Sequence, residues 1–181
     1  MPRKYPDYPY REPEPAGLSP TEITTFVQDL CKSEPWNHAP EGGPLDALCR
    51  ALDLDLEYAA PPNEVMLDVP REGRPVVWLD RNSKTRYDRF SVSTALGHWM
   101  LHVQPLRSQN LDYGIQALYA STDTPARTEA RIFAFELLLP SPDFQDIWFK
   151  RRPQILSEDF NLPTHLIYER AKMLLLSDPW P

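Results

Sequence analysis

The stretch that decides the fold is Arg89-Phe90-Ser91-Val92-Ser93-Thr94-Ala95-Leu96-Gly97-His98-Trp99-Met100-Leu101-His102. Its apolar residues recur at helical spacing, which predicts a central helix over residues 87–103. Trp99 and Leu101 supply packing faces, and Gly97, which has no Cβ, lets a second backbone approach the helix closely. We therefore expect this helix to form the centre of the domain.

Polar residues form a stripe along the same helix, because Thr94, His98 and His102 lie four residues apart. The helix of an HExxH zinc peptidase carries two histidines at this spacing, both facing one metal, and a glutamate beside the first that acts as general base. Here His98 stands at the second histidine position, whereas Thr94 occupies the first and Ala95 occupies the glutamate position. The pattern predicts a retained helix without its catalytic base.

A second segment follows downstream: Glu129-Ala130-Arg131-Ile132-Phe133-Ala134-Phe135-Glu136-Leu137-Leu138-Leu139-Pro140. Together the two segments resemble the signatures of the ImmA/IrrE family of metallopeptidase-like proteins, in which a helix of the form RFTLAHELGHxxLH precedes one of the form EANxFAxxLLMP. The resemblance puts Glu129 at the position of the third zinc ligand, whereas Arg131 replaces the usual asparagine. It implies an α+β, zincin-like metallopeptidase fold with a small curled sheet packed against several helices.

The resemblance extends beyond the two signatures and keeps the family's order along the chain. Residues 45–54 are similar to the opening helix, residues 75–80 to the strand before the central helix, and residues 160–170 to the closing helix. The likeness therefore covers about residues 44–175.

The chain is predicted to form one domain with a tail at each end. Residues 1–19 are rich in proline and tyrosine, so we expect a disordered tail or, as a sharper alternative, a recognition segment for an aromatic groove on a partner. Ser19-Pro20-Thr21-Glu22 has the spacing of a helix capping box. A single domain is expected over residues 20–176, followed by a short tail over residues 177–181.

Periodicity and turn residues predict the elements of this domain. Besides the two signature helices, helices are expected over residues 20–32, 45–52, 141–150 and 161–176, and strands over residues 53–58, 65–69 and 76–79.

Composition narrows the class of protein. A chain of 181 residues with 41% hydrophobic content can bury a core. The formal net charge of −7 gives no basis for direct nucleic-acid binding, and we interpret the basic run at residues 150–152 as a solvated helix end. Cys31 and Cys49 match no disulfide or metal pattern and are expected to be reduced. No signal sequence or membrane-length apolar run is visible, which predicts a cytoplasmic protein.

Two imidazoles remain at metal-ligand spacing although the first histidine of the motif is missing. His98, His102 and Glu129 make up an alternative ligand set, displaced by one helical turn or about 5–6 Å. In the other interpretation, neutral His98 hydrogen-bonds to Glu129, and the protein holds no zinc or binds it only weakly. His38 and His165 are not expected to be ligands.

Candidates for a substitute catalytic group are few. Glu136 is predicted to face outward, two turns from Glu129, and Asp88 is predicted to be a helix-start carboxylate. A group between the two signature helices, such as Asp112 or Tyr119, stays open as a base. The sequence contains no GxSxG nucleophile motif and no cysteine poised beside a histidine.

These features predict a pseudopeptidase that works as a regulatory or protein-interaction module. Its protein partner is expected in a groove lined by Thr94, His98, Trp99 and Glu129. The resemblance implies a bacterial or phage system, such as repressor control or a toxin–antitoxin-like pair, with a helix-turn-helix regulator as partner. The alternative function is a metal-dependent endopeptidase that uses the displaced set of His98, His102 and Glu129.

Overall fold

The computed structural model describes residues 8–180 and shows a five-stranded sheet beside a layer of helices. Within these residues the strands are β1 (Tyr10–Arg11), β2 (Asp55–Ala59), β3 (Val65–Val69), β4 (Val76–Asp80) and β5 (Gly114–Leu118). The α-helices are α1 (Pro20–Leu30), α2 (Asp46–Ala51), α3 (Thr85–His98), α4 (Pro125–Leu138), α5 (Ser141–Trp148), α6 (Pro153–Asp159) and α7 (Thr164–Met173). Turns of 3-10 helix cover Trp36–Glu41 and Gln104–Leu106, and a π-helical turn covers Trp99–Val103.

The sheet is mixed, with strand order β1-β5-β3-β4-β2. β3 pairs antiparallel with β5 and β4, whereas the outer strands β1 and β2 run parallel to β5 and β4. The strands predicted from the sequence are β2, β3 and β4. β5 was missed because it begins with glycine, which weakens a strand signal, and β1 was missed because it has only two residues. The predicted arrangement of a small sheet and several helices is confirmed.

Helices α3 and α4 touch backbone to backbone at the centre of the protein. A Cβ placed on Gly97 would lie 2.7 Å from the carbonyl oxygen and 2.9 Å from the Cα of Ala130. Nearby, the rings of Phe90 and Phe135 pack with their centroids 4.8 Å apart. The prediction that Gly97 admits a second backbone is confirmed, and this approach fixes the distance between the two signature helices.

The central helix changes its winding in its last turns. α3 is regular to His98, and the chain then continues through the π-helical turn to Val103. A π turn is wider than an α turn and occurs often at functional sites. It contains His102, so the angle between His98 and His102 around the helix differs from that of a plain i, i+4 pair.

The N-terminal region corrects the prediction of a disordered tail for residues 8–19. β1 extends the edge of the sheet by pairing with β5, and the ring of Tyr10 lies against the backbone of Gly114, where no side chain is present. Residues 1–7 lie outside the described part of the chain. Tyr10 and Gly114 lie far apart in the sequence, so the proline content of the segment does not reveal this contact.

The other differences lie at helix ends. α1 begins at the predicted capping box, in which the side chains of Ser19 and Glu22 each accept a hydrogen bond from the other's backbone N–H. α6 was not predicted, and the last helix stops at Met173, earlier than expected, because the chain turns at Leu175 with a positive φ of 55°. The described part of the C-terminal tail packs on α5, since Trp180 Nε1 donates to the Trp148 carbonyl at 3.1 Å.

The close approach of α3 and α4 predicts a stability defect for Gly97→Ala. The added methyl group meets the backbone of Ala130, which cannot move aside as a flexible side chain would, so the free energy of unfolding should fall by about 1–3 kcal/mol. Gly43→Ala is the matched control, because a Cβ at Gly43 meets nothing within 4 Å. Urea unfolding of the two variants measures the difference, and equal stabilities would contradict the close approach.

Candidate functional site

Thr94 and Ala95 offer no group to a metal or a substrate. The hydroxyl of Thr94 is buried and donates to the carbonyl of Phe90, one turn earlier in α3, at 2.9 Å. Ala95 is fully buried in the apolar core. The two positions that hold the first ligand and the base in an HExxH helix are therefore packed into the protein interior.

The two histidines and Glu129 form a chain of hydrogen bonds. Nδ1 of His98 lies 3.1 Å from Nδ1 of His102, and Nε2 of His102 lies 2.8 Å from Oε2 of Glu129. Because a carboxylate accepts, His102 donates through Nε2, and a neutral His102 then accepts from His98 through Nδ1. The expectation that His98 bonds directly to Glu129 is wrong, since His102 lies between them.

Glu129 is also bound by the backbone ahead of α1. The N–H of Ala16 donates to Oε2 at 2.8 Å, and the N–H groups of Gly17 and Leu18 donate to Oε1 at 2.8 and 3.1 Å. Gly17 has a φ of 72°, a left-handed conformation that lets successive N–H groups point at one anion. Sequence reasoning missed this contact. The sequence feature that could have indicated it is the pair Ala16 and Gly17 just before the capping box.

The charge states follow from burial and from these bonds. Burial lowers the pKa of His98 to about 3, and the neighbouring His102 and the positive charge of Arg127 act in the same direction. Burial also lowers the pKa of His102, although Glu129 partly opposes this. For Glu129, burial alone would raise the pKa, but hydrogen bonds from His102, Ala16 and Leu18 lower it overall. At neutral pH the site therefore contains one carboxylate and two neutral imidazoles.

A buried guanidinium adds positive charge to this region. Arg127, two residues before Glu129 in α4, is buried, and its hydrogen-bond acceptors among the described residues are neutral: the Met66 sulfur at 3.2 Å and the Leu118 carbonyl at 3.5 Å. Its charge is one cause of the lowered pKa of His98. The same repulsion acts on any cation placed beside that imidazole. Sequence reasoning did not identify Arg127.

The arrangement does not fit a three-ligand zinc site. Within residues 8–180, no three histidine, cysteine, aspartate or glutamate side chains are placed to hold one metal ion. His98 and Glu129 lie at opposite ring nitrogens of His102, so their donor atoms do not converge. Both oxygens of Glu129 already accept two hydrogen bonds each. The displaced ligand set predicted as an alternative would require Glu129 and His98 to rearrange.

The residues expected to line a partner groove are not at the surface. Thr94, His98, Trp99 and Glu129 are 1%, 3%, 0% and 6% exposed, respectively. These values correct the prediction of an open groove at this site. The close α3–α4 packing buries Thr94 and His98, Trp99 packs into the hydrophobic core with Arg107 over its ring, and residues 16–18 cover the carboxylate.

The remaining candidates have structural partners. Glu136 was predicted to face outward, but it is buried and paired with Arg170 at 2.6 Å, because α7 brings a cation against α4. His38 is exposed between two glutamates, which raise its pKa. The ring of His165 lies 6.0 Å from that of Tyr87. Asp88 lies in the first turn of α3, as predicted.

Comparison with known families identifies the domain. Residues 53–172 match the Peptidase_M78 family, the IrrE N-terminal-like domain, a range that includes both signature helices and most of the sheet. The chain therefore belongs to this family, and its α+β fold is the zincin-like fold of that family. No curated protein matches the chain.

Acid should destabilise the protein through its buried histidines. The folded pKa of His98 is about 3, below the ordinary value of about 6.5, so the unfolded chain takes up protons first. The stability that neutral His98 contributes is therefore fully present above its ordinary pKa. It is lost as the pH falls from that value toward the folded pKa, at up to about 1.4 kcal/mol per pH unit. Glu129, whose pKa is also lowered, acts in the same direction at lower pH.

Urea unfolding between about pH 7 and about pH 5 measures this effect. The free energy of unfolding should fall with pH more steeply in the wild-type protein than in His98→Gln, which lacks the titrating group. Parallel pH profiles for the two proteins would show that His98 is not held in its neutral form by the fold.

Proposed function

We propose that this member of the family is a pseudopeptidase, a catalytically degenerate homologue that acts as a regulatory or protein-interaction module. One observation carries the proposal: the Glu129 carboxylate, the third ligand position of the family signature, accepts hydrogen bonds from His102 and from three backbone N–H groups. A group that coordinates zinc in an active relative serves here to hold two parts of the chain together.

The chemistry of the neighbouring positions supports the same conclusion. Ala95 has no proton-accepting group, and the Thr94 hydroxyl is used by its own helix. Loss of general-base assistance alone typically lowers a rate by about 10²–10⁴-fold. Here the base and one ligand are both replaced, and the third ligand position has acquired a structural role, so the changes reinforce one another.

The alternative function, a metal-dependent endopeptidase with a displaced site, requires larger rearrangements. His98 would have to give up its bond to His102, and Glu129 would have to leave residues 16–18 and move to the other side of the imidazole. Arg127 would still oppose the incoming cation. The hydrogen-bond chain among these side chains therefore favours the non-catalytic function.

The partner follows from the family and from charge. We propose a protein partner, such as a helix-turn-helix regulator in a bacterial or phage control system, and a cytoplasmic location. The formal net charge of −7 favours a protein over a nucleic acid as the direct ligand. Within residues 8–180, no helix has the length and apolar character needed to cross a membrane.

The protein is expected to show no zinc-dependent peptidase activity. Protein purified without chelator should lose its zinc on dialysis, because two donors at most face one point, and it should not cleave helix-turn-helix repressors or unfolded substrates. Metal analysis and a cleavage assay, with and without added zinc, measure both properties.

His98→Ala, His102→Ala and Glu129→Gln are the informative variants. Cleavage that depends on zinc and disappears in His98→Ala or Glu129→Gln would refute the non-catalytic function. Stoichiometric zinc that survives dialysis in the wild type but not in His102→Ala would establish the displaced metal site instead.

A further inference from the structure

Residues 8–18, which we call the N-terminal segment, lie on the protein surface without being buried in it. Within this segment every residue is exposed or half-buried. Its neighbour in sequence, α1, is anchored differently, since Ile23 and Val27 are buried in the core. Apart from Leu18, which packs against the edge of the core, the segment is therefore attached to the domain through surface contacts.

One end of the segment is held on β5. The N–H of Gly114 donates to the carbonyl of Pro9 at 2.9 Å, and the ring of Tyr10 lies on the Gly114 backbone. The guanidinium of Arg11 lies 4.2 Å from the centroid of the Tyr113 ring. These contacts use a strand edge, an aromatic ring and a bare glycine, which another extended chain of suitable sequence can also use.

The other end is held by Glu129. Ala16 and Gly17 are exposed, yet with Leu18 they cover a carboxylate that is only 6% exposed. Hydrogen bonds to a charged group are stronger than those between neutral groups, and here the donors are backbone N–H groups, which every residue except proline possesses. The carboxylate therefore recognises a backbone conformation, and the glycine at position 17 supplies it.

We propose that the edge of β5 and the Glu129 carboxylate form a docking strip for an extended peptide segment of a protein partner, which displaces the N-terminal segment. The occupant pairs parallel to β5, places an aromatic residue over Gly114 and presents three successive N–H groups, through a glycine with positive φ, to Glu129. When a peptide adds a strand to a sheet in this way, backbone hydrogen bonds provide affinity and pockets for its side chains provide specificity. The inference rests on the proposed interaction function and names the surface and the partner chemistry for it.

The tethered segment competes with such a partner and therefore determines the affinity that the partner needs. A short tether gives an effective concentration on the order of millimolar, so a partner peptide binds only weakly while the chain's own segment is in place. Weakening the segment at its Glu129 end should open the strip.

The experiment uses a fluorescein-labelled peptide with the sequence of residues 8–19 and measures its anisotropy with the full-length protein. Gly17→Pro removes one donor to Glu129 and forbids the positive φ, so the peptide should bind this variant at least about tenfold more tightly than the wild type. Gly17→Ala keeps the N–H and its Cβ meets nothing within 4 Å, but the positive φ at this position strains an alanine. Peptide affinity for Gly17→Ala should therefore lie between the affinities for the wild type and for Gly17→Pro.

Three controls fix the interpretation. Adding Glu129→Gln to Gly17→Pro should weaken peptide binding by about tenfold, and a peptide carrying proline in place of its glycine should not bind. If Gly17→Pro fails to show a cooperative thermal transition, Tyr10→Ser releases the other end of the segment. Equal binding to wild type and variants, or binding to none of them, overturns the docking strip.

The peptide experiment and the cleavage assay test the docking strip and the proposed function separately. Zinc-dependent cleavage by the wild-type protein would refute the pseudopeptidase assignment whatever the peptide does. Failure of peptide exchange without such cleavage would refute only the strip.

Discussion

The fold around the candidate site depends on the burial of one carboxylate. Glu129 lies in α4 against α3, where an unpaired negative charge would be costly. Four hydrogen bonds satisfy it, one from His102 and three from the backbone of residues 16–18. The central helix, the second signature helix and the N-terminal segment are therefore joined at a single side chain. In a catalytic relative, the metal would supply the positive charge that these N–H groups replace in part.

The scaffold that positions this carboxylate is the contact between α3 and α4. Gly97 brings the two backbones together at Ala130, and the π-helical turn after His98 gives His102 its place beside Glu129. With the helices this close, small residues such as Ala95 fill the interior. Packing between these two helices therefore fixes the positions of His98, His102 and Glu129.

The local patterns of the sequence were sufficient to predict the two signature helices and three of the strands. They were insufficient where a partner lies far along the chain. Residues 16–18 donate to Glu129 across 111–113 positions of sequence. Buried Glu136 is paired with Arg170, 34 residues later in the chain. Two histidines four residues apart occur both in buried hydrogen-bonded pairs and in metal sites. For His98 and His102 the two cases are distinguished by the partner that each ring nitrogen faces, which the sequence does not give.

The most direct test of this account is the hydrogen exchange of the amides that bind Glu129. In NMR spectra of the wild-type protein, the N–H groups of residues 16–18 should exchange slowly, and an equimolar amount of zinc should leave that protection unchanged. The protection should disappear in Glu129→Gln. Fast exchange in the wild type, or loss of protection on zinc addition with shifted signals from His98 and His102, would show that the carboxylate is free to serve a metal and would contradict the account.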